Sequence, residues 1–356
     1  MYTVLKEKIY DFFDAVSKNQ KLYLPSDVKE DSANFVKYEN GVKLSSALKT
    51  VCSAKDFFFP KTECLVKYVK EGKSFKVEDP RSEVEDFVIF GVRACDASSF
   101  GVIDNVYLKQ EPVDSYYKNR RDHSTVIVLA CNNPERTCFC SSYKIDASLS
   151  FKPSGADIAC WESGGKYFFE EVTEKGKKLL ESISVFETSG AGESTDETSD
   201  EKEVLKIKEE IKEKINALPF ANLDFSKIEK TPMLDLFNLK IWDKVSESCL
   251  GCGTCTYVCP TCMCFDVRDF DNGKNIEQVR CWDSCMYSDF TQMAAANPRT
   301  SQKERSRQRF MHKLKYYPDV YNGMYACVGC GRCVESCPVN MNIVKVIKMI
   351  QEDADL

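Results

Sequence analysis

The sequence lacks most of the residues and motifs that enzymes use for acid–base or nucleotide chemistry. It has two histidines, His123 and His312, in 356 residues, and neither stands near an acid or nucleophile that would complete a catalytic arrangement. No G-x-G-x-x-G sequence follows a predicted strand, so neither a flavin nor a nicotinamide site is evident. We therefore expect no catalytic site in this chain, and we interpret both histidines as surface or packing residues.

Long apolar runs are also missing. No stretch reaches the roughly 18 apolar residues that a membrane-spanning helix needs. The opening MYTVLKEKIYDFF is amphipathic and of mixed charge, without the apolar core of a secretion signal. Nineteen cysteines would indicate disulfides in a secreted chain, but here they indicate metal binding in a reducing cytoplasm. We predict a cytoplasmic protein without a membrane span.

Two cysteine runs near the C-terminus carry the clearest chemical signal. CLGCGTCTYVCP starts at Cys249 and CVGCGRCVESCP starts at Cys327, and both read C-x2-C-x2-C-x3-C-P. This spacing is typical of [4Fe–4S] clusters, because each cluster needs four soft thiolate ligands. Pro260 and Pro338 would turn the chain away after the fourth cysteine of each run. The runs predict two clusters.

The eight cysteines of these runs divide between two predicted sites. In two-cluster ferredoxins the fourth cysteine of a run binds the other cluster, so the runs exchange their last ligands. The first ferredoxin site is Cys249, Cys252, Cys255 and Cys337. The second ferredoxin site is Cys327, Cys330, Cys333 and Cys259. Zinc or disulfides are the alternative, but zinc patterns rarely repeat this spacing.

The distance between the runs refines the fold class. Cys249 and Cys327 are 78 positions apart, which is more than a compact bacterial ferredoxin needs and favours a helical ferredoxin domain with an insertion. We predict an α+β multidomain protein. Its parts are an α/β domain over 1–185, a flexible acidic segment over 186–203 and a helical two-cluster ferredoxin domain over 204–356.

The acidic segment explains the net charge of −6. Between Glu187 and Glu203 there are seven acids and a single lysine, Lys202, and no aromatic or branched apolar residue. Such a composition cannot bury enough surface to offset the entropy of ordering, so it predicts a flexible loop or linker. The following EVLKIKEEIKEKINAL predicts a charged connecting helix from Glu203 to Leu218.

The N-terminal domain contains two short apolar runs, and each of them ends in a cysteine. The runs are FVIFGVRAC, which ends at Cys95, and STVIVLAC, which ends at Cys131. Both predict buried strands, and because ligands in open α/β sheets lie outside the carboxyl ends of the strands, these cysteines could face one another. A CFC sequence follows, so the predicted N-terminal site is Cys95, Cys131, Cys138 and Cys140. Four thiols suffice for a third [4Fe–4S] cluster, but ordinary buried cysteines remain an alternative because no standard motif covers them.

Other cysteines and a basic stretch lie outside these sites. We interpret Cys52, Cys64 and Cys160 as structural. Packing against the first two clusters is favoured over an additional cluster for Cys262, Cys264, Cys281 and Cys285. The basic stretch 300–317 is interpreted as a solvated or docking surface and not as a nucleic-acid site. Its basic residues are Lys303, Arg305, Arg307, Arg309, Lys313 and Lys315.

Several pieces of sequence together resemble one family. They are GVRACD from Gly91, the separated Cys131 and CFC, CPTCMCFDV from Cys259, WDSC from Trp282, NPR from Asn297, RSRQRFMHK from Arg305 and CVGCGRCVESCPV from Cys327. In this order, over nearly the whole chain, they resemble the iron–sulfur subunit of anaerobic sulfite reductase. They also resemble its relative, the β subunit of cytoplasmic sulfhydrogenases.

The resemblance implies a third cluster at the N-terminal site and a complex with other subunits. In such complexes a flavoprotein subunit oxidises NAD(P)H, this subunit relays the electrons, and a terminal reductase or hydrogenase subunit receives them. We expect an electron-transfer subunit, in first place that of an anaerobic sulfite reductase. The alternatives are the β subunit of a cytoplasmic sulfhydrogenase or NiFe hydrogenase, a free-standing ferredoxin-like carrier, and an enzyme with a cluster at Cys262, Cys264, Cys281 and Cys285.

A further hypothesis concerns Arg93, which lies two residues before Cys95. A positive charge beside a cluster favours its reduced form, because reduction adds a negative charge. We therefore expect Arg93 to raise the potential of a cluster at the N-terminal site.

Overall fold

The structure is a computed structural model that describes residues 1–29, 32–47, 49–186 and 197–353. The segment 187–196 of the predicted flexible region lies outside these residues. The described chain is a mixed α/β fold with two sheets. Its strands are β1 (Tyr2–Leu5), β2 (Lys21–Lys29), β3 (Ser32–Lys37), β4 (Thr62–Glu71), β5 (Ser74–Glu78), β6 (Phe87–Val92), β7 (Ser124–Leu129), β8 (Ile158–Ser163), β9 (Lys166–Glu171), β10 (Phe265–Asp271) and β11 (Asn275–Trp282).

Helices surround the sheets and form most of the C-terminal part. They are α1 (Ile9–Ser17), α2 (Ala94–Tyr107), α3 (Ser115–Asp122), α4 (Glu174–Glu181), α5 (Glu197–Asn216), α6 (Ser226–Lys230), α7 (Met233–Phe237), α8 (Ile241–Ser248), α9 (Thr254–Tyr257), α10 (Gln302–Met311), α11 (Tyr317–Val320), α12 (Arg332–Glu335) and α13 (Ile343–Glu352). A π-helical turn, His312–Tyr316, joins α10 to α11. Within the described ranges, no helix is both long and apolar enough to cross a bilayer.

The large sheet has seven strands in the order β1-β9-β8-β7-β6-β2-β3. Its centre, β2-β6-β7-β8, is parallel, and the outer pairs are antiparallel. The predicted buried strands are β6 and β7, whose residues are all buried. Strands that are covered on both faces read as continuous apolar runs, which explains why they were visible in the sequence.

Alternate residues of β6 point into cores on opposite faces of this sheet. Val88 and Phe90 pack with α1 in one core, and Ile89 packs with α2 in the other. The predicted N-terminal helix is α1, which buries Phe12 and Phe13 along one stripe. Both faces of the parallel sheet are therefore covered, as parallel sheets require.

Helix α5 differs from the predicted connecting helix. It begins at Glu197 and not at Glu203, so residues 197–203 are helical and not a flexible segment. Its apolar stripe packs against β8 and joins the core that contains α2. The buried residues of this stripe are Val204, Ile207, Ile211 and Ile215. Burial of the stripe stabilises a helix whose exposed face is strongly charged.

The predicted insertion in the ferredoxin part contains strands. Strands β10 and β11 lie between the two cysteine runs and extend a small antiparallel sheet in the order β10-β11-β4-β5. Register pairs join Ile276 to Tyr68 and Arg280 to Glu63. The insertion between the runs therefore completes a sheet begun in the N-terminal half, and the two halves share one hydrogen-bonded ladder. The three-part domain division stays a prediction.

Candidate iron–sulfur sites

The four cysteines of the N-terminal site line one cavity. Cys95 lies in the first turn of α2, and Cys131 lies two residues beyond β7. Cys138 and Cys140 follow on the loop that ends in the 3-10 turn Cys140–Tyr143. Because β6 and β7 are parallel neighbours, their carboxyl ends bring the first two cysteines to the same sheet edge. The structure thus assembles the four thiols that the sequence scatters.

The chemistry of this cavity fits an iron–sulfur cluster. Among the described residues that line it there is no carboxylate, and the donors are thiols, the ligands that such clusters prefer. Burial raises the pKa of the Cys131 thiol to about 11, and the Arg93 guanidinium and the Ala94 amide oppose this rise. The thiol is therefore protonated without metal, and metal binding would displace the proton. As cluster ligands the four cysteines stay a prediction.

The second ferredoxin site also surrounds a single cavity, lined by Cys259, Cys327, Cys330 and Cys333. The structure thus places Cys259 from the first run with three cysteines of the second, as the predicted exchange requires. Gly329 and Gly331 lie between the cysteines with φ of +59° and +79°. Only glycine adopts this left-handed region at little cost. These glycines let the loop curl around the cavity and approach other backbone closely.

The first ferredoxin site lies nearer the surface. Cys252 is exposed, whereas Cys249 and Cys255 are half-buried. Cys249 Sγ accepts hydrogen bonds from the Gly251 amide and from Gln302 Nε2, both at 3.4 Å. Amide and side-chain donors of this kind stabilise thiolates that bind a cluster.

The predicted fourth ligand of this site, Cys337, accepts a hydrogen bond from the Met341 amide at 3.2 Å. The short helices α9 and α12, one in each cysteine run, pack against each other. This packing brings the two runs together, and the assignment of Cys337 to the first ferredoxin site stays a prediction.

The N-terminal site and the second ferredoxin site meet directly. Cys330 lines both cavities, and the Phe139 amide donates to the Gly329 carbonyl at 2.8 Å. A Cβ atom on Gly329 would lie 2.4 Å from the Phe139 carbonyl oxygen, and one on Gly331 would lie 2.5 Å from the Thr137 oxygen. The CFC loop therefore rests on the glycine loop, backbone against backbone. We call this contact the junction.

A buried ion pair crosses the junction. Arg332, between two cysteines of the second run, donates to both carboxylate oxygens of Asp96, the residue after Cys95, at 2.5 and 2.7 Å. Arg332 and Asp96 are 3% and 1% exposed. Arg332 Nε also donates to the Thr50 carbonyl at 2.8 Å. The bidentate pair fixes the position of α2 relative to the second cysteine run.

Comparison with known proteins agrees with this architecture. Residues 248–341 match the family model of the 4Fe-4S dicluster domain. The chain is 30% identical over 348 residues to the sulfhydrogenase 2 subunit beta of Pyrococcus furiosus, and the match covers 96% of each chain. The chain belongs to the sulfhydrogenase β-subunit family. No solved structure matches it.

Membership of the sulfhydrogenase β-subunit family settles the general role. The chain is an electron-transfer iron–sulfur subunit that contains a [4Fe–4S] dicluster domain and is similar to a subunit of a multisubunit complex. These comparisons support the alternative named from the sequence better than the sulfite reductase assignment, for which they give no support.

Three of the remaining cysteines, Cys262, Cys264 and Cys285, are electrostatic or hydrogen-bonding neighbours in a chain that begins at Cys259. The Cys285 thiol donates to the Cys264 sulfur and lowers the pKa of Cys264 to about 7. Cys262 lies beside Cys259, whereas Cys281 Sγ donates to the Asp266 carbonyl at 3.8 Å in the β10–β11 hairpin. The packing role of these cysteines stays a prediction.

A single metal ion is a different case from a cluster, because zinc draws its sulfur ligands to about 2.3 Å. In the part of the chain that the structure describes, no three His, Cys, Asp or Glu side chains are grouped to hold a single ion. Of the cysteines read as structural, Cys160 is fully buried in the large sheet, and Cys52 accepts a hydrogen bond from Lys61 at 3.4 Å.

The basic stretch is only partly the predicted surface. Lys303 pairs with Asp243 at 2.7 Å, and the Arg307 guanidinium lies 3.4 Å from the ring centre of Phe237. Arg309 and Lys313, in contrast, are 2% and 3% exposed. Sequence reasoning missed them because it grouped the basic residues by composition. Their i,i+4 spacing, which places both on one helix side, was the available signal.

The two histidines have ordinary surroundings. His123 Nδ1 lies 2.6 Å from an Asp86 carboxylate oxygen near the surface. Burial lowers the pKa of His312 to about 4, and the Lys313 charge adds to this effect. Neither contact forms a catalytic arrangement.

Proposed function

We propose that this chain relays single electrons through three [4Fe–4S] clusters in a multisubunit hydrogenase. The order would be N-terminal site, second ferredoxin site, first ferredoxin site. The observation that carries the proposal is the junction, because Cys330 lines two cavities at once. A [4Fe–4S] cluster accepts and donates one electron, and transfer falls steeply with distance, so sites that share a wall suit a relay.

The second ferredoxin site occupies the middle of the proposed relay. On one side it shares Cys330 with the N-terminal site. On the other side Arg309 lines its cavity and donates to the carbonyl of Cys255, a predicted ligand of the first ferredoxin site, at 3.2 Å. Cys252 is exposed, so one end of the proposed relay would lie at the surface, where a partner protein would exchange electrons.

The chain's own residues keep the middle of the relay dry and rigid. Phe139, 1% exposed, lies between Cys138 and Cys140 and lines the cavity of the second ferredoxin site. The Asp96–Arg332 pair holds the two sites at a fixed separation. A low-dielectric, water-poor surrounding limits the reorganisation that accompanies electron transfer and tunes the potential of a cluster.

The proposed partners follow from the relative and from the resemblance. The relative is by name a subunit of a sulfhydrogenase, so we propose a hydrogenase subunit in place of a sulfite reductase, together with a flavoprotein subunit that exchanges electrons with NAD(P)H. We propose a cytoplasmic location for this complex.

Iron analysis tests the three-cluster proposal. Anaerobically purified chain should contain about twelve irons and twelve acid-labile sulfides, since each cube holds four of each. Cys138→Ala should lower both counts by about four. Cys160→Ala, which alters a fully buried cysteine that lines neither cavity, should lower neither. About eight irons in the unaltered chain, with no change in Cys138→Ala, would contradict the N-terminal cluster.

Reduction by hydrogen tests the partner. Co-expressed with the hydrogenase and flavoprotein subunits from its own source, the chain should co-purify with both, and hydrogen gas should bleach its iron–sulfur absorbance. Association with a sulfite reductase subunit instead, or purification as a free carrier whose clusters hydrogen does not reduce, would contradict this assignment.

A further inference from the structure

Two buried cations lie on one side of a single helix next to the second ferredoxin site. Arg309 is in the last turn of α10, and Lys313 is in the π-helical turn that follows. Four residues separate them, so their side chains leave the helix in the same direction. Both line the cavity of this site, and both are almost fully buried.

The contacts of Arg309 leave part of its guanidinium without an oxygen or nitrogen partner. One terminal nitrogen donates to the Cys255 carbonyl at 3.2 Å. Nε and the other terminal nitrogen are buried without an oxygen or nitrogen acceptor among the described residues, and the guanidinium faces the Cys333 sulfur, where it opposes the rise in pKa that burial causes. Its strongest electrostatic neighbours are sulfurs of both cysteine runs, led by Cys255 and Cys333. A buried donor without an acceptor is costly, and the cavity is where an acceptor would lie.

Lys313 approaches the same cavity from the next turn. Its Nζ donates to Thr261 Oγ1 at 2.8 Å and to the Ala326 carbonyl at 3.1 Å. An ammonium group has three donors, so one N–H beyond these two is left for the cavity. Its strongest electrostatic neighbours include the sulfurs of Cys259 and Cys327, two predicted ligands of the second ferredoxin site.

These cations differ from those at the junction in having no carboxylate partner. Arg332 is paired with Asp96, and Lys49 is paired with Glu135 and Glu335. Among the described residues no salt bridge involves Arg309 or Lys313. A buried unpaired charge requires compensation, and four thiolates around a cluster would supply it.

We propose that Arg309 and Lys313 raise the reduction potential of a cluster at the second ferredoxin site above that of the first ferredoxin site. The inference rests on the proposed clusters at these sites. Reduction adds one negative charge to a cluster, and nearby positive charge in a dry site favours that form. Lys313 acts on the second ferredoxin site, whereas Arg309 is shared with the first. Electrons would therefore collect in the middle of the relay.

Redox titration of the full anaerobic chain, followed by EPR, tests this proposal. Cys327→Ser identifies the signal of the second ferredoxin site, because its ligand change alters that spectrum. Arg309→Met and Lys313→Met should each make reduction of this cluster at least tenfold less favourable, a shift of about 59 mV for one electron. Arg309→Lys, which keeps the charge, should keep the potential of this cluster close to that of the unaltered chain. Lys348→Met, which removes an exposed lysine from α13, should leave the potential unchanged.

Unchanged potentials in both methionine variants would overturn the proposal, and so would an Arg309→Lys variant that behaves like Arg309→Met. If a methionine variant lost iron, Arg309→Gln and Lys313→Gln would be titrated for the same two outcomes, because glutamine keeps a hydrogen-bond donor without the charge. Iron content separates this test from the proposed function. A chain with about eight irons or fewer contradicts the three-cluster relay, whereas about twelve irons with unmoved potentials contradict only the role of the cations.

Discussion

The second ferredoxin site and the N-terminal site place four cysteines around a cavity by different means. In the former, Cys327, Cys330 and Cys333 come from one short loop that positive-φ glycines curl. In the latter, the four cysteines come from the start of α2, the end of β7 and a separate loop. A local loop carries its geometry in its sequence, whereas the N-terminal site depends on the large sheet and on the junction.

Breaking the ion pair at the junction should cause the largest loss of stability. Asp96→Ala leaves Arg332 buried without its partner, which typically costs about 3 to 5 kcal/mol. We expect a loss of this size in the free energy of unfolding, measured by anaerobic urea denaturation, together with loss of iron from the N-terminal site first.

The matched control is Asp79→Ala, which removes an exposed pair with Arg81 and should change stability far less. Replacing both partners, Asp96→Leu with Arg332→Leu, should recover part of the loss, because neither charge is then left unpaired. Equal stability in Asp96→Ala and Asp79→Ala would show that the pair does not hold the two sites together.

Adding a methyl group at the junction should cause the next largest loss of stability. Gly329→Ala combines a left-handed backbone with a Cβ atom 2.4 Å from the Phe139 oxygen. Gly323 has φ of +80° but open space around its Cβ position, so Gly323→Ala measures the backbone strain alone, about 1 to 2 kcal/mol. Crowding should make Gly329→Ala about 1 to 3 kcal/mol worse than this control. Equal thermal shifts in the two variants would contradict a close junction.

A smaller and purely electronic change is expected from Arg93→Ala. Arg93 lines the cavity of the N-terminal site and donates to the Ala130 carbonyl at 3.0 Å. Loss of its charge should lower the potential of a cluster there, by about 59 mV if reduction becomes tenfold less favourable. The potentials of the ferredoxin sites should move less. An unchanged N-terminal potential in an EPR-monitored titration would refute the hypothesis.

The smallest effect is expected at the exposed end of the relay. Gln302→Ala removes one N–H donor at 3.4 Å from Cys249 Sγ, next to the exposed Cys252. Water can replace part of this interaction, so the potential of the first ferredoxin site should fall by less than the Arg309→Met effect at the second. A larger fall would indicate that this site is less solvated than its exposure suggests.

Some features of the fold and of the candidate sites could be predicted from the sequence. The two complete cysteine runs predicted that Cys259 joins Cys327, Cys330 and Cys333, because the fourth cysteine of a two-cluster ferredoxin run binds the other cluster, and the cavity brings these four together. The apolar runs predicted β6 and β7 because buried parallel strands need no polar alternation. Local patterns of this kind can be read because their physical cause lies within a few residues.

The junction and the small sheet could not be read in this way. Nothing near Gly329 in the sequence indicates that Phe139 will lie against it, and nothing in β4 indicates pairing with β11, which is about two hundred residues away along the chain. The early start of α5 was hidden because its charged surface resembles a flexible segment, while its stability comes from burial against β8. Long-range contacts of this kind depend on the assembled fold.

EPR of the fully reduced chain, compared with Cys138→Ala, tests the central claim most directly. Cys330 lines both the N-terminal cavity and that of the second ferredoxin site, so reduced clusters in both would lie close together and should couple magnetically. We expect a split, fast-relaxing spectrum in the unaltered chain that simplifies when Cys138→Ala removes the N-terminal cluster. A spectrum that is the plain sum of independent clusters, with Cys138→Ala leaving it and the iron content unchanged, would contradict a continuous relay through the junction.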